Sequence, residues 1–145
     1  MRFPPVGVDQ VLGLLKVIYA LGGRVDVMHI NEAIDADLGE LSHVIDAAEV
    51  LGFVKHSNGD VELTEDGRKA VEMPLRHLQL TLKTKMSALE PFAQLVDYLK
   101  REARLEEVLQ YIASLGYMEE GARKILDWAV FAQLVEIDDD MVKLS

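Results

Sequence analysis

The segment LGFVKHSNGDVELTEDGRKA, residues 51–70, constrains the fold more than any other part of the sequence. Residues 53–56 and 61–63 have the composition of short β-strands. Asn58-Gly59 between them favours a type I′ turn, which joins two antiparallel strands in a tight hairpin. Thr64 is placed to cap a following helix, in which Gly67 faces outward or lies close to another backbone. We therefore predict a β-hairpin that leads directly into a helix.

The residues before this hairpin predict three helices and one strand. Asp9 is expected to cap the first helix, whose apolar residues keep helical spacing as far as the stop at Gly22-Gly23. Residues 24–27 alternate polar and apolar side chains as a short strand does, and further helices are expected at 29–34 and 38–51. The order helix, strand, helix, helix, strand, strand is that of a winged helix-turn-helix unit.

The second half of the chain repeats this pattern at a constant shift. The segment DAAEVLGFVKHSNGDVELT aligns without a gap with DWAVFAQLVEIDDDMVKLS at the end of the chain, and the same shift brings Val27 to Val108. We predict a mainly α-helical fold with small β-hairpins. It consists of tandem winged-helix-like units at residues 1–73 and 89–145, joined by a connecting helix at 74–88.

Charge opposes the DNA binding that winged-helix units usually perform. The formal net charge of the chain is −10. The outward face of the third helix is expected to carry no arginine or lysine, although such side chains supply phosphate contacts. We predict that the chain does not bind duplex DNA tightly, and a DNA-binding transcriptional regulator remains the alternative. The residues of that face are Gly39, His43, Asp46 and Val50, with Ser42 and Glu49 beside them.

The sequence gives little support for catalysis or for a bound cofactor. It contains no glycine-rich loop of the kinds that hold nucleotide phosphates, and its four histidines lack metal-ligand spacing. The run Asp138-Asp139-Asp140 is interpreted as a solvated hairpin tip rather than a calcium site. We predict no enzyme activity, no metal and no cofactor. The absence of cysteine and of any bilayer-length apolar run predicts a cytoplasmic protein without membrane insertion.

Apolar residues of the central and last helices form a candidate protein interface. The helix with Trp128 and Phe131 is apolar nearly all round, which indicates burial on more than one side. Either the central helices cover these aromatic rings within one chain, or the rings contact a partner, of which the simplest is a second copy. The candidate residues are Leu78, Leu82, Met86, Leu89, Phe92, Trp128 and Phe131.

The only electropositive segment is the helix expected at residues 75–85. Arg76, Lys83 and Lys85 lie there without an acidic neighbour in the same helix. They are candidate contacts for an anionic partner, or they balance the acidic charge of the first unit.

Four segments distributed over nearly the whole chain share the pattern of one known family: VLGLLKVIYALGGRVDV, IDAAEVLGFV, GDVELTEDGRKA and KILDWAVFAQLVEID. Together they resemble the AAA-associated C-terminal domain family. This family occurs mainly in archaea and other prokaryotes, after the ATP-binding subunit of nitrate/sulfonate/bicarbonate-type ABC transporters and sometimes alone. The resemblance implies a non-catalytic regulatory or protein-interaction module whose partner is a transporter ATPase. The chain departs from the fused arrangement because its 145 residues contain no Walker-type motif.

Overall fold

The first half of the chain forms helices around a small three-stranded sheet. The computed structural model describes residues 2–34 and 38–145. In chain order the first elements are α1 (Val8–Ala20), β1 (Arg24–Asp26), α2 (Val27–Ile34), α3 (Leu38–Val50), β2 (Val54–Ser57), β3 (Asp60–Leu63) and α4 (Glu65–Glu72).

After one further helix, the second half of the chain repeats this element order as far as the hairpin, without a counterpart of α4 among the described elements. Its elements are α5 (Leu75–Met86), α6 (Phe92–Tyr98), β4 (Ala103–Arg104), α7 (Leu105–Ser114), α8 (Glu119–Phe131), β5 (Val135–Asp138) and β6 (Met141–Leu144). The prediction of a mainly α-helical fold with small β-hairpins is confirmed. One detail differs: α1 begins at Val8, so Asp9 lies in the first turn rather than at the cap. Its carboxylate there still complements the positive end of the helix dipole.

The two sheets have the same antiparallel topology. Their strand orders are β1-β3-β2 and β4-β6-β5, so the last strand of each hairpin lies in the centre. The two hairpins also share one register, since Val54 pairs with Leu63 and Val135 pairs with Leu144. The repeat that the sequence indicated is therefore present in the backbone of both hairpins.

The alignment of Val27 with Val108 is wrong. The N–H of Val27 donates to the carbonyl oxygen of Gly59 at 2.9 Å, and in the second half Leu105 makes the corresponding bond to Asp140 at 2.7 Å. Gly59 and Asp140 occupy the same position in the two hairpins, so Leu105 is the counterpart of Val27. The constant shift fails here because the segment from Leu105 to the start of α8 is longer than the segment from Val27 to the start of α3.

The first hairpin and its exit helix confirm the local sequence predictions. Asn58 and Gly59 have φ angles of 54° and 82°, as a type I′ turn requires. The Thr64 hydroxyl accepts the N–H of Gly67 at 3.0 Å and thereby caps α4. Of the two possibilities for Gly67, closeness to another backbone is the correct one, since a Cβ there would overlap the carbonyl oxygen of Phe53.

The chain divides into two compact units. The N-terminal unit comprises Asp9–Pro74, and the C-terminal unit comprises Leu75–Ser145 together with the residues before Asp9. Each unit has its own buried apolar residues. In the N-terminal unit they include Val11, Leu14, Leu15, Ile18, Leu41, Ile45, Phe53 and Val61, and in the C-terminal unit Phe92, Leu95, Val108, Ile112, Ile125, Trp128, Ala129 and Val142.

Candidate protein-interaction surface

Most of the predicted interface residues lie in the interior of the folded chain. Five of the seven side chains are buried within the single chain and are not exposed to a partner in this structure. The other two, Leu89 and Phe131, are half-buried. The apolar excess that suggested an interface reflects intramolecular packing. The five buried residues are Leu78, Leu82, Met86, Phe92 and Trp128.

The N-terminal segment explains the burial of Trp128. The indole Nε1 of Trp128 donates to the carbonyl oxygen of Val6 at 2.7 Å. The ring of Phe3 lies edge-on to Trp128 and to Phe92, with centroid distances of 5.2 Å in both cases. Sequence reasoning missed this cover, although Phe3 and Val6 are apolar residues beside the two prolines. Trp128 is therefore covered within one chain, and the N-terminal segment contributes to this cover instead of the central helices alone.

A buried tyrosine holds the same segment to the C-terminal unit. The Tyr117 hydroxyl donates to the carbonyl oxygen of Phe3 at 2.7 Å. The pKa of Tyr117 is raised to about 12, chiefly by burial. The nearby Arg2 guanidinium lowers this pKa, and the Glu90 carboxylate raises it further. The Arg2 guanidinium also stacks 5.3 Å from the centroid of this ring.

The predicted anion contacts lie along α5 without forming a compact group. Arg76 is exposed, whereas Lys83 and Lys85 are half-buried. Arg76 and Lys83 are seven residues apart in the sequence and therefore lie on the same side of the helix. Leu75 and Leu80 are also exposed on this helix. The surface of α5 thus combines cations with apolar side chains.

In the N-terminal unit, α3 occupies the place of the helix that would contact DNA in a winged-helix unit, and its exposed face is acidic. The exposed side chains of α3 include Ser42, His43 and Glu49, and Asp46 is half-buried. Arginine and lysine are absent from the sequence of α3. Its counterpart α8 exposes Glu119, Glu120 and Asp127 beside a single exposed cation, Arg123. Both faces would repel phosphates more than they attract them.

A cleft in the C-terminal unit follows the edge of the second sheet. The volume of the cleft is 510 Å³. One wall of the cleft is β5, which is an edge strand of the sheet. A salt bridge of 3.4 Å between Lys143 and Glu136 lies at this hairpin. We call this feature the C-terminal cleft. Its lining residues are Lys83, Val130, Gln133, Val135, Glu136, Ile137 and Ser145.

Within residues 2–34 and 38–145, no cluster of three or more histidine and carboxylate side chains is placed to hold a metal ion. Asp138-Asp139-Asp140 forms the exposed tip of the second hairpin, where Asp140 pairs with Arg104 at 3.7 Å. None of the described helices has both the length and the apolar character that crossing a bilayer requires.

Comparison with known families identifies one match over most of the chain. The family model described as the C-terminal AAA-associated domain matches residues 28–138, which include the first hairpin and extend to the end of β5. No match was found among curated proteins or among solved structures.

Proposed function

Because the chain belongs to the family of C-terminal AAA-associated domains, we propose that it is a non-catalytic accessory module that binds and regulates an ATP-binding protein. Family membership is the observation that carries this proposal. The resemblance noted in the sequence names the partner as the ATP-binding subunit of a nitrate/sulfonate/bicarbonate-type ABC transporter. The chain itself has no Walker-type motif, so in this proposal the partner supplies the nucleotide chemistry.

The charge distribution supports a protein partner over DNA. The exposed face of α3 has carboxylates and no cation, and the chain as a whole has a net charge of −10. Proteins that bind duplex DNA gain much of their affinity from cations that displace the counterions of the phosphates. A face of this kind is better suited to a protein surface that offers basic or apolar groups.

The proposal is tested by titrating the full chain with a purified ATP-binding subunit of such a transporter from the same organism. We expect a saturable complex by sedimentation velocity and a changed rate of ATP hydrolysis. The matched control is an ATP-binding subunit from another transporter class, which should form no complex. Absence of a complex at micromolar concentrations would contradict the proposal. Nanomolar affinity for a specific duplex DNA would favour the transcriptional regulator instead.

A further inference from the structure

In the N-terminal unit a charged side chain covers the edge of the sheet. The two-residue turn makes Ser57 and Asp60 a hydrogen-bonded pair, so the N–H of the preceding residue, His56, points away from β3. The Glu49 carboxylate accepts this N–H, with a distance of 3.4 Å between nitrogen and Oε2. Charged groups at an edge strand are a common means of preventing the addition of another strand.

At the equivalent edge of the C-terminal unit, a valine takes the position of this carboxylate. The second hairpin has the same register, so Ile137 is the counterpart of His56 and its N–H also points outward. Val130 stands where α3 has Glu49, and a valine side chain cannot accept this hydrogen bond. Val130 and Ile137 are 37% and 41% exposed, so the edge presents apolar surface beside its outward backbone groups.

Charged side chains of both signs lie at this edge: Glu136 and Asp138 of β5, Lys143 of β6 and Lys83 of α5. Glu136 is compensated by Lys143, which lies across the hairpin at 3.4 Å. Lys83 of α5 lines the same cleft and adds a positive charge beside the strand. The carboxylate of Asp138 projects from the face of β5 opposite Ile137, because successive side chains of a strand alternate. On the face of Ile137, an approaching chain therefore meets outward backbone groups, the apolar side chains of Val130 and Ile137, and the ammonium group of Lys83.

We infer that β5 binds an extended segment of a partner protein, which adds to the sheet as a further strand. The backbone of the segment bonds to the outward N–H and C=O of Ile137, as in other cases of strand addition. Its apolar side chains contact Val130 and Ile137, and a carboxylate on it pairs with Lys83. This inference rests on the proposed function and specifies the segment that the partner would contribute.

A second copy of the chain fits this edge poorly. Pairing Ile137 with Ile137 or Val135 of another copy would place Glu136 opposite Asp138 or Glu136 of that copy. Like charges directly opposite each other destabilise antiparallel pairs. The occupant is therefore expected to be a different protein.

A capped hexapeptide provides a direct probe. It alternates valine and threonine and ends in glutamate, and it is added to the isotope-labelled full chain while backbone amide NMR shifts are recorded. We expect saturable shifts centred on Val135–Asp138. The matched control is the same peptide with methylated backbone nitrogens, which keeps the side chains but cannot pair with the strand. Equal binding of both peptides, shifts elsewhere, or no saturable shift at millimolar peptide would overturn the inference.

Two variants of the chain test the role of the edge itself. Val130→Glu places a carboxylate where the N-terminal unit has Glu49, and we expect it to weaken peptide binding by about tenfold or more. Met118→Glu adds the same charge at another exposed residue of the unit and should leave binding unchanged. Equal affinity of Val130→Glu and wild type would refute the edge assignment.

The same variants separate this inference from the proposed function. If the ATP-binding subunit binds wild type and Val130→Glu equally well, the partner does not use β5, and only the edge inference fails. If the chain binds the hexapeptide at β5 but forms no complex with the ATP-binding subunit, the proposed function fails while the edge inference stands.

Discussion

Gly67 and Gly13 are both helical glycines, but an added methyl group would meet different surroundings at the two positions. At Gly67 a Cβ would overlap the Phe53 carbonyl oxygen, whereas nothing lies within 4 Å of a Cβ at Gly13. We expect Gly67→Ala to destabilise the protein by about 1–3 kcal/mol through overpacking. Gly13→Ala should stabilise it by about 0.5–1 kcal/mol, because alanine loses less backbone entropy in a helix. Urea unfolding followed by circular dichroism measures both free energies of unfolding. If Gly67→Ala were as stable as wild type, the close contact between α4 and the Phe53 carbonyl would be contradicted.

Tyr117 predicts a loss of stability at alkaline pH. Its pKa is raised from 10.0 to about 12 in the folded protein, chiefly by burial. The folded state therefore holds the proton more tightly than the unfolded state does. The resulting stabilisation is fully present below pH 10.0 and is lost as the pH rises towards about 12.

The variant Tyr117→Phe isolates this effect because phenylalanine does not ionise. It loses the hydrogen bond to Phe3, so it should be less stable than wild type at neutral pH. Its free energy of unfolding should then fall less than that of wild type over the alkaline interval. Parallel pH dependences of the two proteins in urea unfolding would argue against the burial of Tyr117.

At the scale of elements, α4 distinguishes the two hairpins. Leu63 lies beneath α4 and is 4% exposed, whereas its counterpart Leu144 is 36% exposed. We expect Leu63→Ala to cost about 2–4 kcal/mol, since it would leave a cavity at a covered site. Leu144→Ala should cost less than half of that. Thermal and urea unfolding of the matched pair measure the difference, and equal losses would mean that α4 contributes little cover.

The elements that the sequence predicts well are those whose cause is local. Asn58-Gly59 sets the turn through two positive φ angles, and Thr64 caps α4 through a bond to a residue three positions later. The alignment of Val27 with Val108 fails because it depends on the length of the intervening segment, which no local pattern reports. Helical periodicity likewise indicates that Trp128 is buried on several sides without indicating what covers it.

At the scale of the whole molecule, the cover of Trp128 is the feature that sequence patterns could not supply. Phe3 and Val6 are far from Trp128 in the sequence, and contacts between such distant positions leave no periodic signal in one chain. The buried aromatic residues belong to the interior, whereas the edge of the second sheet is exposed. Among the predicted site residues, only Lys83 lines the C-terminal cleft. The common register of the two hairpins places Val130 at the position of Glu49, and this correspondence depends on the fold of both units.

Hydrogen exchange of the full chain, measured with and without the ATP-binding transporter subunit, tests directly whether the partner binds at β5. We expect slower exchange in β5, where the outward N–H of Ile137 would gain a partner. Exchange along the exposed face of α3 should stay unchanged. Protection confined to α3 and α8, or no protection at saturating concentrations of the subunit, would contradict the claim that this chain is an accessory module that binds its partner through the edge of the second sheet.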